Sequence, residues 1–123
     1  MLATAPREFD GPGDEWSPES LLVAAVASCF ILTFRAVARA AKIEWTHLQC
    51  EVTGALERLE GSTQFTHVLT NARLTIPTTT LAESCEAALR KAEQGCLVTN
   101  SLRATSELRT EILHEGPRIA IAE

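Results

Sequence analysis

The sequence has little that would suit it to nucleic acid or to an anionic membrane surface. Its 123 residues carry 11 lysines and arginines against 16 aspartates and glutamates, which gives a net charge of −5, and they contain no basic cluster. An acidic chain without a basic patch is poorly matched to either polyanion. We therefore expect neither nucleic acid nor a membrane surface as a partner.

The spacing that would mark a disulfide framework or a metal site is also missing. The cysteines are Cys29, Cys50, Cys85 and Cys96, and none forms a CxxC pair. No secretory signal precedes them, because the segment before the first apolar run is acidic. The three histidines have no metal-ligand spacing with one another or with the cysteines. We expect a cytoplasmic protein with free thiols, either structural or reactive, and with no metal or cofactor.

What the sequence does have is one long uncharged stretch, the fourteen residues 21–34. It lies within a predicted helix over residues 17–41, with Ser17 as N-cap, Pro18 in the first position and Glu19 at the positive end of the helix dipole. The run is shorter than the roughly 20 apolar residues of a membrane span. Because it is apolar nearly all round, we expect a core helix that is mostly buried in protein.

The remaining pattern predicts an α+β fold in a single domain over residues 1–123, with 1–16 as an irregular arm. Alternating residues predict two strands, 43–57 and 64–76, joined as an antiparallel hairpin by the turn at 60–62. A second helix is predicted from a Thr80–Glu83 capping box to Gly95, followed by a third strand over 105–113.

Two motifs give this pattern a family resemblance. Residues 17–22 (SPESLL), followed by small residues up to Cys29 and Phe30, form one motif, and residues 95–102 (GCLVTNSL) form the other. Together they resemble the signatures of the OsmC/Ohr family, from residue 6 to about residue 112. The resemblance implies an antiparallel sheet with two main helices, and an intertwined homodimer with the long first helix at its centre. It also implies a chain that lacks the family's N-terminal strands.

The resemblance further implies a thiol peroxidase that reduces organic hydroperoxides. By motif position, Cys29 would be the peroxidatic cysteine and Cys96 the resolving one, joined as a disulfide during turnover. Glu19 would hold an activating arginine, which the family carries on its N-terminal strands. Arg7 falls in the following loop, so the family's role is not transferred to it, but Arg7 or an arginine of a neighbouring subunit could substitute. The implied partners are a second copy of the chain, a small apolar hydroperoxide and a dithiol reductant.

Peroxide reduction also places chemical requirements on Cys29 that follow from its position in the sequence. Reduction of a hydroperoxide needs a thiolate, and Cys29 is too deep in its helix to feel the N-terminal dipole. Apolar surroundings raise a thiol pKa, so we expect Cys29 to need a nearby cation. We expect Phe30, Leu32 and Phe34 to wall the site and to favour an apolar substrate.

Each assignment has a plainer alternative. Cys29 could be a buried packing residue, and Glu19 could simply favour the helix dipole. Cys50 and Cys85 are predicted to be inert packing residues. The second hypothesis for the whole chain is a non-catalytic OsmC-like dimer that binds a small apolar ligand, with Cys29 left protonated for want of an arginine. A zinc site using Cys29 and Cys96 is a third.

Overall fold

The first helix, α1, spans Pro18–Ala40 in the computed structural model, which describes residues 17–116 of the chain. Ser17 caps it, because its hydroxyl oxygen accepts a hydrogen bond from the Ser20 backbone N–H at 3.0 Å. The predicted helix is therefore confirmed with its N-cap. The predicted irregular arm, residues 1–16, lies outside the described residues.

Only one stripe of α1 is buried by the described chain. Its members recur every fourth residue, at Val26, Phe30, Phe34 and Ala38, whereas Leu32 is 59% exposed. The expectation of burial nearly all round is therefore not met by one chain alone. The 23-residue helix has a mean hydropathy of 2.2 over 18 residues, so it is long and apolar enough to cross a membrane. The length argument against a span is thus wrong, and the packed stripe is what identifies a core helix.

The predicted hairpin is formed by β1 (His47–Leu59) and β2 (Ser62–Ile76), which pair antiparallel. Glu60 and Gly61 form its two-residue turn with φ angles of 50° and 80°. Positive φ angles at both central residues are typical of a type I′ turn, whose twist matches that of the flanking strands. Strand β1 begins four residues later than predicted, since β1 starts at His47 and the alternating pattern at residue 43.

The inward face of the sheet is the predicted one. Along β2 every second residue is buried, namely Val68, Thr70, Ala72, Leu74 and Ile76. Strand β1 alternates in the same way between half-buried and exposed residues. This period of two places one face of the hairpin against the helices.

The second helix, α2, spans Ala82–Gln94, and a single turn, α3, follows at Leu97–Asn100. The predicted capping box at its start is wrong. Leu81 occupies the N-cap without a side-chain bond, and the Thr80 hydroxyl instead donates to the Glu44 carbonyl at 3.0 Å. The tertiary contact with the segment after α1 thus replaces the local cap.

The third strand, β3 (Thr105–His114), pairs with β2 in parallel, giving the order β1-β2-β3. The expectation of a wholly antiparallel sheet is therefore corrected to a mixed sheet. The reason is that α2 and α3 carry the chain back across the sheet, and such a crossover delivers a parallel strand. The α+β class and the two main helices are confirmed.

The core lies between the inner face of this sheet and the two helices. Phe30 and Phe34 of α1 meet Leu74 and Ile76 of β2 and Leu89 of α2 in one cluster. The rings of Phe34 and Trp45 pack edge to face, with their centroids 5.5 Å apart. This cluster fixes α1 against α2, and so sets the position of Cys29 relative to the turn that ends α2.

Candidate functional site

Cys29 lies in the fourth turn of α1, half-buried, on the side that faces α3. Its Sγ is 3.9 Å from the hydroxyl oxygen of Thr33, one turn further along the same helix. That hydroxyl also donates to the Cys29 carbonyl oxygen at 2.7 Å. The Cys29 sulfur therefore lies between α1 and the start of α3.

Cys96 is almost completely buried, with 1% of its surface exposed, in the turn between α2 and α3. It occupies the N-cap position of α3 in an extended conformation. Its carbonyl accepts from the Asn100 backbone N–H at 3.0 Å and from the Thr99 hydroxyl at 3.1 Å. Leu97 fills the first position of α3, where proline is also tolerated.

The structure brings the two predicted redox cysteines together. Burial raises the pKa of Cys29, but hydrogen-bonding groups around the sulfur lower it further than burial raises it. In order of size these groups are the Val98 backbone, the Cys96 side chain, the Thr33 hydroxyl and the Leu97 backbone. The pKa of Cys29 therefore lies below its ordinary value.

This result corrects the expectation that Cys29 needs a cation to lower its pKa. Leu97 and Val98 are the first two residues of α3, and N–H groups in a first turn have no partner within the helix. They can point at a thiolate instead, and amide donors at a helix start are a known cause of lowered thiol pKa values. The sequence could not show this, because α3 reaches Cys29 only through the tertiary fold.

Glu19 is not brought to the two cysteines. It lies in the first turn of α1, ten residues before Cys29, which is about 15 Å along the helix axis. Its Oε2 is buried and has no hydrogen-bond partner among residues 17–116. An unpaired buried carboxylate oxygen is costly, so this position is suited to a donor that the described chain does not supply.

Glu19 stands at a groove of about 520 Å³ between α1 and the β1–β2 hairpin. Val23 and Ala27 form its wall on the helix, and Leu56 and Phe65 form part of its wall on the sheet. Two residues of helix turn the chain by about 200°, so Cys29 faces away from the wall that Ala27 contributes. Cys50 of β1 also lines the groove and lies near Cys96, so the groove extends towards Cys96 although Cys29 faces away from it.

The predicted walls of the site are partly wrong. Phe30 and Phe34 are 2% and 0% exposed because they fill the core between the helices and the sheet. Leu32 is exposed rather than buried beside the thiol. A helical run of apolar residues does not reveal which members face the core, since only the packing of α1 against α2 and β2 decides it.

The other two cysteines have the properties of packing residues. Burial, together with the nearby Cys96, raises the pKa of Cys50 to about 11, and burial also raises the pKa of Cys85. Both thiols are therefore poor nucleophiles at neutral pH. The nearness of Cys50 to Cys96 was not apparent from the sequence. For zinc, residues 17–116 contain no group of three histidine, cysteine or acidic side chains that could hold a metal ion.

Two features missed by the sequence reasoning thus belong to the site: Thr33 and the first turn of α3. Thr33 carries a usable signal, because residues four apart on a helix are neighbours on one face. The protein is thus an α+β domain in which a half-buried thiol with a lowered pKa faces a second, buried thiol, an arrangement suited to thiol redox chemistry.

The particular family follows from comparison with known proteins. The chain belongs to the OsmC-like protein family, which it matches over residues 11–111. The uncharacterized protein YmaD of Bacillus subtilis is 26% identical over 109 residues, covering 86% of this chain and 73% of YmaD.

Solved structures agree with this assignment. An organic hydroperoxide resistance protein OsmC from Legionella pneumophila has a TM-score of 0.72 and 26% identity, over 89% of this chain and 78% of that one. An OsmC-like protein of unknown function from Vibrio cholerae has a TM-score of 0.78 and 24% identity, over 92% and 77% of the two chains. The Vibrio protein shares the fold.

Proposed function

We propose that this protein is a thiol peroxidase that reduces organic hydroperoxides with Cys29 and Cys96. Its family, and the Legionella relative named for organic hydroperoxide resistance, support a role in redox or peroxide defence. The observation that carries the finer proposal is the position of Cys96 and the first turn of α3 against the Cys29 sulfur, where they favour its thiolate.

In the first step, the Cys29 thiolate attacks the terminal oxygen of the hydroperoxide. The O–O bond breaks, an S–O bond forms, and the alkoxide that leaves takes up a proton to become the alcohol. In the second step, the Cys96 thiolate attacks the Cys29 sulfur, a disulfide forms, and hydroxide leaves and is protonated to water. A dithiol reductant then reduces the disulfide to two thiols and is itself oxidised to a disulfide.

We also propose a homodimer and a role for Glu19 within it. The exposed apolar side of α1, including Leu32 at 59% exposure, is a surface that a second copy of the helix could cover. The unpaired Oε2 of Glu19 suits the guanidinium of an arginine, supplied by Arg7 or by a neighbouring subunit. Because Glu19 and Cys29 are about 15 Å apart along α1, such an arginine would have to lie between them to act on the Cys29 thiolate as well.

The proposed reductant and location follow from the thiols. All four cysteines are free. Free thiols, and a disulfide that must be reduced in every cycle, suit the reducing cytoplasm. We therefore propose a cytoplasmic enzyme that uses a protein or small-molecule dithiol.

The proposal is tested by following hydroperoxide consumption with a dithiol as reductant. Cumene hydroperoxide and hydrogen peroxide would be compared for the wild type, Cys29→Ser, Cys96→Ser and the control Cys50→Ser. We expect faster reaction with the apolar peroxide, none with Cys29→Ser, and a stalled sulfenic acid with Cys96→Ser. Equal consumption by wild type and Cys29→Ser would refute the proposal.

The second candidate function is a non-catalytic binder of a small apolar molecule. It is favoured by the open groove at Val23, Ala27 and Phe65, which lies away from Cys29. Titration with a fluorescent fatty acid distinguishes the two. Binding that Phe65→Ala abolishes, together with no peroxide consumption, would favour the binder.

A further inference from the structure

Thr33 of α1 contacts Cys29 and packs against Gly95, the residue before Cys96. Its hydroxyl is 3.9 Å from the Cys29 Sγ and donates to the Cys29 carbonyl at 2.7 Å. Its methyl group faces the turn before Cys96, since a Cβ placed on Gly95 would lie 3.4 Å from Thr33 Cγ2. The hydroxyl therefore contacts Cys29, and the methyl group packs against the residue before Cys96.

The hydroxyl can serve either form of the thiol. A threonine hydroxyl has one hydrogen and two lone pairs, so while it donates to the Cys29 carbonyl it can accept from the Cys29 S–H. That carbonyl already accepts the helical bond from the Thr33 backbone N–H. The hydroxyl can therefore turn its hydrogen towards the sulfur when a thiolate forms, without leaving the carbonyl unpaired.

The methyl group lies next to the turn that carries the other cysteine. Gly95 ends α2 and immediately precedes Cys96, so packing of the Thr33 methyl group against Gly95 restricts movement of this turn relative to α1. Disulfide formation is sensitive to such movement, because two Cα atoms more than about 7 Å apart cannot be bridged without a backbone shift.

We propose that Thr33 is a positioning residue for the thiol pair: its hydroxyl stabilises the Cys29 thiolate, and its methyl group packs against Gly95 and so sets the spacing between the Gly95–Cys96 turn and α1. The inference deepens the proposed peroxidase function, but it concerns thiol chemistry that can be measured without a peroxide. Of the described titratable groups, the one facing Cys29 is Cys96, and Cys50 of β1 faces Cys96 in turn.

Two substitutions separate the two contacts. Thr33→Val keeps a methyl group against Gly95 and removes the hydroxyl, whereas Thr33→Ser keeps the hydroxyl and removes the methyl group. Thr63→Val, on an exposed residue of β2, is the control for the exchange of hydroxyl for methyl.

The first readout is the pH profile of Cys29 alkylation by iodoacetamide, followed by peptide mass mapping. We expect Thr33→Val to move the midpoint upward and to slow alkylation at pH 7 by about three- to tenfold, because one pKa unit corresponds to a factor of ten. Thr33→Ser and Thr63→Val should retain the wild-type profile. An unchanged profile in Thr33→Val would overturn the role of the hydroxyl.

The second readout is the equilibrium of the Cys29–Cys96 disulfide with reduced and oxidised dithiothreitol. We expect Thr33→Ser to lower the disulfide-forming constant several-fold, while Thr33→Val stays close to the wild type. A constant unchanged in Thr33→Ser would overturn the role of the methyl group. Because neither readout uses peroxide, an inactive wild type would refute the peroxidase without affecting the outcome for Thr33.

Discussion

Cys96 faces the sulfur of Cys29 from the turn between α2 and α3, although more than half the length of the chain separates the two residues. The core cluster that joins α1 to α2 sets this relationship. The same turn supplies the backbone groups of Leu97 and Val98 that lower the pKa of Cys29. One short segment thus provides both the second thiol and the activation of the first.

The lowered pKa of Cys29 predicts its reactivity against pH. We expect the thiolate, followed by absorbance near 240 nm as wild type minus Cys29→Ser, to form with a midpoint below the ordinary thiol pKa of about 8.5. Reactivity should then decline as pH falls through that midpoint, at a lower pH than for an ordinary thiol. A midpoint above 9 would contradict the activation of Cys29 and leave the apolar binder as the better hypothesis.

The raised pKa of Cys50 predicts an alkaline loss of stability. Its folded pKa of about 11 exceeds the unfolded value of about 8.5, so the folded state holds this proton more tightly. The resulting stabilisation is complete below pH 8.5 and is lost as pH rises towards 11.

Urea unfolding at pH 8 and pH 10.5 measures this effect. We expect the free energy of unfolding to fall less between the two pH values in Cys50→Ala than in the wild type. Thr53→Ala, exposed on the same strand, should keep the wild-type pH dependence. An identical decline in Cys50→Ala and wild type would show that Cys50 does not titrate as predicted.

The exposed side of α1 predicts how the proposed dimer is held. Replacing Leu32, 59% exposed in one chain, by aspartate should place a charge in the interface and shift the protein towards monomer in sedimentation velocity at micromolar concentration. Leu81→Asp, on a residue 71% exposed before α2, is the matched control and should leave the dimer intact. A wild type that sediments as a folded monomer would refute the dimer itself.

Phe34 is the centre of the core that positions the thiol pair. Because it is 0% exposed, we expect Phe34→Ala to lower the free energy of unfolding by about 3–5 kcal/mol. Exposed Leu81→Ala should change it by less than about 0.5 kcal/mol. A cost below about 1 kcal/mol for Phe34→Ala, measured by urea unfolding, would show that the cluster does not depend on this ring.

Much of the fold could be predicted from the sequence because its signals are local. Period-two alternation located the inward residues of β2, and Ser17 and Pro18 marked the start of α1. The direction of β3 was not predictable in this way, since alternation looks the same in parallel and antiparallel strands. The predicted cap at Thr80 is absent because the Thr80 hydroxyl donates a hydrogen bond to the carbonyl of Glu44, a residue distant in sequence.

The site was less predictable. The pairing of Cys29 with Cys96 came from a resemblance of motifs, because nothing local to either cysteine predicts the other. The activation of Cys29 by the start of α3 could not be seen at all, since it needs the packed arrangement of α1, α2 and α3. The prediction that Phe30 and Phe34 wall the site was wrong for the same reason, since both side chains are buried in the core.

The central claim is that Cys29 and Cys96 form one redox pair, and peptide mapping after oxidation tests it most directly. The protein would be treated with one equivalent of cumene hydroperoxide, alkylated and digested under non-reducing conditions. The account predicts a single disulfide between Cys29 and Cys96, with Cys50 and Cys85 recovered as alkylated thiols. A disulfide or sulfenic acid at Cys50 or Cys85, with Cys29 still reduced, would contradict it.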